Sequence, residues 1–141
     1  MAVRRYDPKE VAIIVGGSII EGFAEGTYVS IDRNEDAQTL VIGADGSGTR
    51  TKSNNRSGRI TITLQQTSPS NDRLNSFALA DELSNTGLFS VLVADKSGRS
   101  FVSGETAWIV KYPTQEFANE GGSREWIIES DSLNILVGGN G

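Results

Sequence analysis

The sequence predicts a mainly β protein, an antiparallel barrel or sandwich flanked by one α-helix and interrupted by one long inter-strand loop. Three observations predict it. Short apolar or alternating runs recur along the chain, separated by turns rich in Gly, Asn and Asp. One stretch alone, about residues 69–85, carries apolar side chains at helical spacing. Thirteen consecutive residues, Gly46 to Gly58 (GSGTRTKSNNRSG), contain neither an apolar side chain nor a carboxylate, and strand-like patterns lie on both sides of them.

Val11–Val15 is a continuous apolar run ended by Gly16 and Gly17, as expected of a buried strand, and Ser18–Ile20 continues it beyond a bulge or turn. Tyr28–Asp32 alternates, with Val29 and Ile31 on one face and Tyr28, Ser30 and Asp32 on the other. Asn34–Asp36 is turn-like, Thr39–Ile42 resumes an apolar strand, and these segments together read as a β-meander. Arg59–Gln65 (RITITLQ) gives the clearest alternation: Ile60, Ile62 and Leu64 point to a core, and Thr61, Thr63 and Gln65 form a polar, uncharged opposite face.

The helix has Ser68 or Ser70 for its N-cap, Pro69 at a suitable first position and Asp72 near the positive end of the dipole. Leu74, Phe77, Ala78 and Leu83 make its apolar side, and Asn85–Gly87 ends it. Leu88–Ala94 is an apolar strand, Asp95–Arg99 a hairpin turn, and Ser100–Tyr112 a long return strand stopped by Pro113. A polar loop, Thr114–Ser123, precedes the strand Glu125–Ser130, which Leu133–Val137 continues. The helix should cover an edge or open end of the sheet. The whole chain, residues 1–141, reads as a single domain with its arm at 44–58.

The basic stretch cannot bury enough apolar surface to offset the entropy of ordering it. It is therefore expected to be a structureless arm that orders against a partner. Arg50, Lys52, Asn54, Asn55, Arg56 and the adjoining Arg59 are its candidate contact residues. The rest of the chain is acidic, and the net charge of the whole is -5, so another copy of the same protein suits a basic arm better than nucleic acid does.

Composition removes most chemistry. The sequence contains no Cys and no His, which excludes disulfides, thiolate nucleophiles, Ser–His and Cys–His hydrolases and the usual zinc enzymes. Gly43–Gly48 (GADGSG) fits neither the dinucleotide fingerprint nor the P-loop, and Asp45 lacks the alternating Asp/Asn pattern of a calcium loop. Acids gather around Glu21–Asp36 and Glu116–Asp131, but nothing selects a catalytic pair. No catalytic residue, metal ligand or cofactor is expected. No apolar run approaches the roughly 20 residues that cross a bilayer, and a cytoplasmic, soluble chain is expected. Trp108 and Trp126 lie in strands and are candidates for the core or for a subunit contact.

Three stretches carry a resemblance: GSIIEGFAEGTYVSIDR, GADGSGTRTKSNNRSGRITITLQQTSPSNDRL, and AWIVKYPTQEF with REWIIE and a terminal GGN. In residues and order, from about Val11 to Asn140, the chain resembles the tail tube proteins of contractile-tailed bacteriophages. That resemblance implies a β-barrel-like subunit with a flanking helix, six of which close into a ring. Rings then stack into the hollow tube through which DNA is delivered. It implies as partners other copies of the chain, the tail sheath, the baseplate or tube initiator and the tail terminator, with DNA passing non-specifically and no membrane contact. The implied location is the virion tail, assembled in the host cytoplasm.

At -5 per copy, six copies give -30 per ring, which would let DNA slide without adhering. Ser30, Asp32, Thr61, Thr63 and Gln65 are the expected lumen-facing side chains, and the arm is the expected link between rings. The alternatives are the tube of a phage-derived injection particle, a monomeric β-barrel binding module, and a carboxylate hydrolase with the arm as its lid.

Overall fold

The computed structural model describes residues 3–139. Its elements are β1 (Val11–Val15), β2 (Ser18–Ile19), β3 (Val29–Arg33), β4 (Gln38–Ile42), β5 (Gly48–Lys52), β6 (Gly58–Gln65), α1 (Ser70–Ser84), β7 (Phe89–Asp95), β8 (Phe101–Lys111), β9 (Ser123–Ser130) and β10 (Asn134–Leu136). One antiparallel sheet runs in the order β2-β1-β7-β8-β9-β6-β3, with β10 continuing the line of β9 along β8. The second sheet is the β4–β5 ribbon.

The large sheet closes on itself through the segment after β2. Ile20 N–H donates to Ile13 O of β1, whereas Gln65 N–H donates to Gly22 O and Ala24 N–H to Thr63 O, so five residues cross from one side of the sheet to β6. The expected meander does not form. β1 lies against β7 and β3 against β6, because this crossing segment carries the chain away from β1 before β3 begins.

Alternation along each strand fills the interior. Ile60, Ile62 and Leu64 from β6 meet Ile13 and Val15 from β1, and all are essentially inaccessible to solvent. Burying an aliphatic side chain of this size stabilises the fold by roughly 1.5–3 kcal/mol. Leu74 and Ala78 of α1 join the same core. The helix covers one open end: Phe77 packs on Phe89 at the start of β7, and Trp126 Nε1 of β9 donates to Asn71 Oδ1 at 2.9 Å. Ser68 Oγ accepts from Ser70 N–H beside Pro69, and Asn85, in the left-handed conformation at φ 56°, ends the helix. At the other end Leu133, in the gap between β9 and β10, is completely buried against Gly58 and Gly104.

Candidate functional site

Residues 44–58 are not a structureless arm. Thr49-Arg50-Thr51-Lys52 lacks apolar side chains, but its threonines and extended backbone pair with β4 in register, Leu40 with Arg50 and Val41 with Thr49. A tight turn closes the ribbon. Gly43 N–H donates to Ser47 O at 2.7 Å, Gly46 takes φ 88°, and Ser47 N–H donates to Asp45 Oδ1. That last bond, with the Ser47 hydroxyl, holds the Asp45 carboxyl below its ordinary pKa, leaving a charged acid at the tip.

Every residue from Asn34 to Lys52 is exposed. Leu40, Val41 and Ile42 are 65%, 64% and 58% exposed, a conspicuous amount of aliphatic surface for a ribbon touching no core. Register places Leu40, Ile42, Arg50 and Lys52 on one face. That face is both aliphatic and cationic, and neither cation has an ion-pair partner among the described residues.

The legs of the ribbon are pinned. Arg33 Nη2 donates to Leu133 O at 2.9 Å, Asn34 Nδ2 to Ser57 Oγ, and Ser53 Oγ to Glu35 Oε2. Asn55 Oδ1 accepts from both the backbone and the hydroxyl of Ser57, and Arg56 Nη2 donates to Asn134 Oδ1. The arm residues singled out from the sequence therefore divide. Arg50 and Lys52 stand free on the ribbon, Asn54 is exposed on the returning leg, and Asn55 and Arg56 fasten the base. Arg59 belongs to β6, where its Nε lies 3.5 Å from Glu129.

Ser30, Asp32, Thr61, Thr63 and Gln65 share the outer face of the sheet. Ser30 lies opposite Thr61 and Asp32 opposite Arg59 across β3–β6, and β9 adds Glu125 opposite Thr63 and Glu129 opposite Arg59. The acids Glu125 and Glu129 extend this polar face but were visible in sequence only as part of an acidic cluster. The outward Ile127 hid the strand's parity.

Of the two roles expected for Trp126, core or subunit contact, its burial gives it the first. It is 2% exposed, because its parity in β9 turns it inward beside Ile128. Trp108 lies opposite Glu129 at the β8–β9 pairing and is half-buried. Among the described residues no group of three or more potential metal ligands occurs, and no helix is long and apolar enough to cross a membrane.

A family model described as the bacteriophage PhiTE tail tube protein matches residues 11–138. "Structural protein ORF10" of Pseudomonas phage KPP10 is 34% identical over 143 residues, spanning 96% of this chain and 83% of the relative. Among solved structures, the sheath/tube terminator of an extracellular contractile injection system superposes with a TM-score of 0.66 at 12% identity, over 97% of this chain and all of that one. The sheath–tube complex of such a system gives 0.65 at 12% identity, covering 94% and 91% of the two chains. At that identity the likeness is one of fold.

Proposed function

Because this chain belongs to the phage tail tube family, a family of structural rather than catalytic proteins, we propose that six copies close into a ring and that rings stack into the hollow inner tube of a contractile tail. Residues 1–141 act in it as one tube-forming unit. The observation that carries the reading is the β4–β5 ribbon, a well-formed hairpin exposed along its whole length with aliphatic side chains facing outward. An isolated two-stranded ribbon is marginally stable in water and gains a partner on assembly.

Sheet edges support ring closure. β2 and β3 end the strand order, and neighbours that cover these edges remove a liability to uncontrolled pairing. Trp108 is our candidate for this lateral contact. The face carrying Ser30, Asp32, Thr61, Thr63 and Gln65 lines the lumen, where hydroxyls, an amide and carboxylates predominate and Arg59 is held against Glu129, leaving DNA little cationic surface to grip. The ribbon, through Arg50 and Lys52, links one ring to the next, with Asn55 and Arg56 holding its base and Arg59 paired to Glu129 on the neighbouring strand face. By analogy with the sheath–tube and terminator structures it resembles, the tube meets a sheath and a terminator, and a tube of stacked rings needs in addition a baseplate initiator on which the first ring forms.

Excising residues 38–52 and joining the legs by a short Gly-Ser linker tests the stacking role. The barrel should fold and form rings without long tubes in negative stain. Tubes of normal length from that variant would sink the proposal.

A further inference from the structure

A groove of about 780 Å³ lies between β1 and the crossing segment that follows β2. Its wall is apolar: Ala12 and Ile14 point outward from β1, facing Ile19, Phe23 and Ala24. Ile19 is 71% exposed. Charged residues of both signs rim the groove. Lys9 and Lys96 lie at the Val11 end, where Lys96 N–H donates to Glu10 O. Glu21 lies at the helix end, its N–H donating to Ser70 Oγ, and Glu25 sits exposed between the lining residues Ala24 and Gly26.

We propose that this groove receives the β4–β5 ribbon of another copy of the chain, tip first from the helix end. The inference rests on the stacking reading above and names the seat for the ribbon.

Three relationships favour this occupant. The ribbon's aliphatic and cationic face, Leu40 and Ile42 beside Arg50 and Lys52, matches an aliphatic groove with Glu21 at its mouth and Glu25 along the crossing segment. The charged groups along the rim have counterparts on the ribbon. A ribbon entering tip first brings Asp45 towards Lys9 and Lys96, and leaves Arg50 and Lys52 beside Glu21 and Glu25. Finally, length agrees, since β4 and β1 each contain five residues, about 17 Å of strand.

The chain's own ribbon is badly placed to reach the mouth. It leaves the sheet beside Arg33 and Gly58, at one end of β6, whereas Gly22 bonds Gln65 at the other. Eight residues of strand, roughly 24 Å, separate the two. A plug and a socket at opposite ends of one subunit make a heterologous contact, and such contacts repeat into a filament rather than closing a dimer.

The chain contains no cysteine, so introduced thiols report without background. The test is Ala12→Cys with Ile42→Cys in one chain, assembled and then oxidised. The expected result is a ladder of covalent multimers extending beyond dimers on a non-reducing gel, absent from either single variant. Assembled tubes that give no ladder overturn the assignment. Charge exchange supplies a second reading. Arg50→Glu with Lys52→Glu, and separately Glu21→Lys with Glu25→Lys, should each shorten tubes by about tenfold or more, and all four changes together should restore them. Failure of restoration, with tubes still lost on excising residues 38–52, would sink the groove and leave ribbon-mediated stacking standing. Normal tubes after excision would sink both.

Discussion

Asn71 and Trp126 join the helix to the barrel wall through one side-chain amide. Its Oδ1 accepts the indole N–H at 2.9 Å, while its Nδ2 lies 3.0 Å from Gln65 O and 3.1 Å from Ser68 O. The indole is 2% exposed, so no water replaces its partner. Asn71→Ala should therefore lower unfolding free energy by about 2–3 kcal/mol. Asn71→Asp, which keeps the acceptor and loses the donor, should fall between. Urea unfolding of both variants checks the order, and equal midpoints for Asn71→Ala and the parent protein would refute it.

Gly16 is held by a second helix contact. Its φ is 56°, and a Cβ there would strike the ring of Phe77. Gly16→Ala should cost about 2–4 kcal/mol from left-handed strain and overpacking together. Adding Phe77→Leu should return part of that loss, giving a favourable coupling in a double-mutant cycle. Strict additivity of the two changes would show that the ring is not the obstacle.

Tyr28 links the N-terminal segment to the sheet. Burial, followed by the hydroxyl of Tyr6 at 3.4 Å, pushes its pKa from 10.0 up to about 12. The unfolded chain releases this proton near pH 10 and the folded chain near pH 12. Tyr28 therefore contributes its full stability below pH 10 and loses it as pH rises through 12. Absorbance at 295 nm should resolve a late phenol transition that Tyr6→Phe moves downward. Release of that proton together with an unhindered tyrosine would contradict the assignment.

Asp32 offers the sharpest test of the lumen. Asp32→Lys puts a cation opposite Arg59 across β3–β6, a like-charge pair costing roughly 0.2–1 kcal/mol, too little to prevent folding. Tubes should assemble, yet genome delivery should fall because the wall now attracts phosphate. Normal infectivity from particles with assembled tubes would place Asp32 elsewhere.

Most strand positions were legible because most strands of the large sheet bury one face. Ile60, Ile62 and Leu64 are spaced by two, and the core takes all three. The helix was legible from Pro69 at its start and Asn85 at its end. β5 was not, since Thr49–Lys52 carries no apolar residue and is a strand only because β4 lies beside it. Pairing order was also hidden. Nothing local in Val29–Arg33 distinguishes β6 from β1 as its neighbour. The polar face of the candidate site could be read from alternation, but the groove could not, because Ala12 and Ile14 look like core until β7 and the crossing segment define an outside.

Strand parity also restricts how the ribbon can evolve. Successive residues in β4 and β5 point to opposite faces, so inserting one residue into each strand would turn outer Leu40 and Ile42 away and present Thr39 and Val41 instead. The ribbon can keep its contact face only by growing two residues per strand, in increments of about 7 Å. Relatives with differently spaced repeats should therefore differ in ribbon length by multiples of four residues.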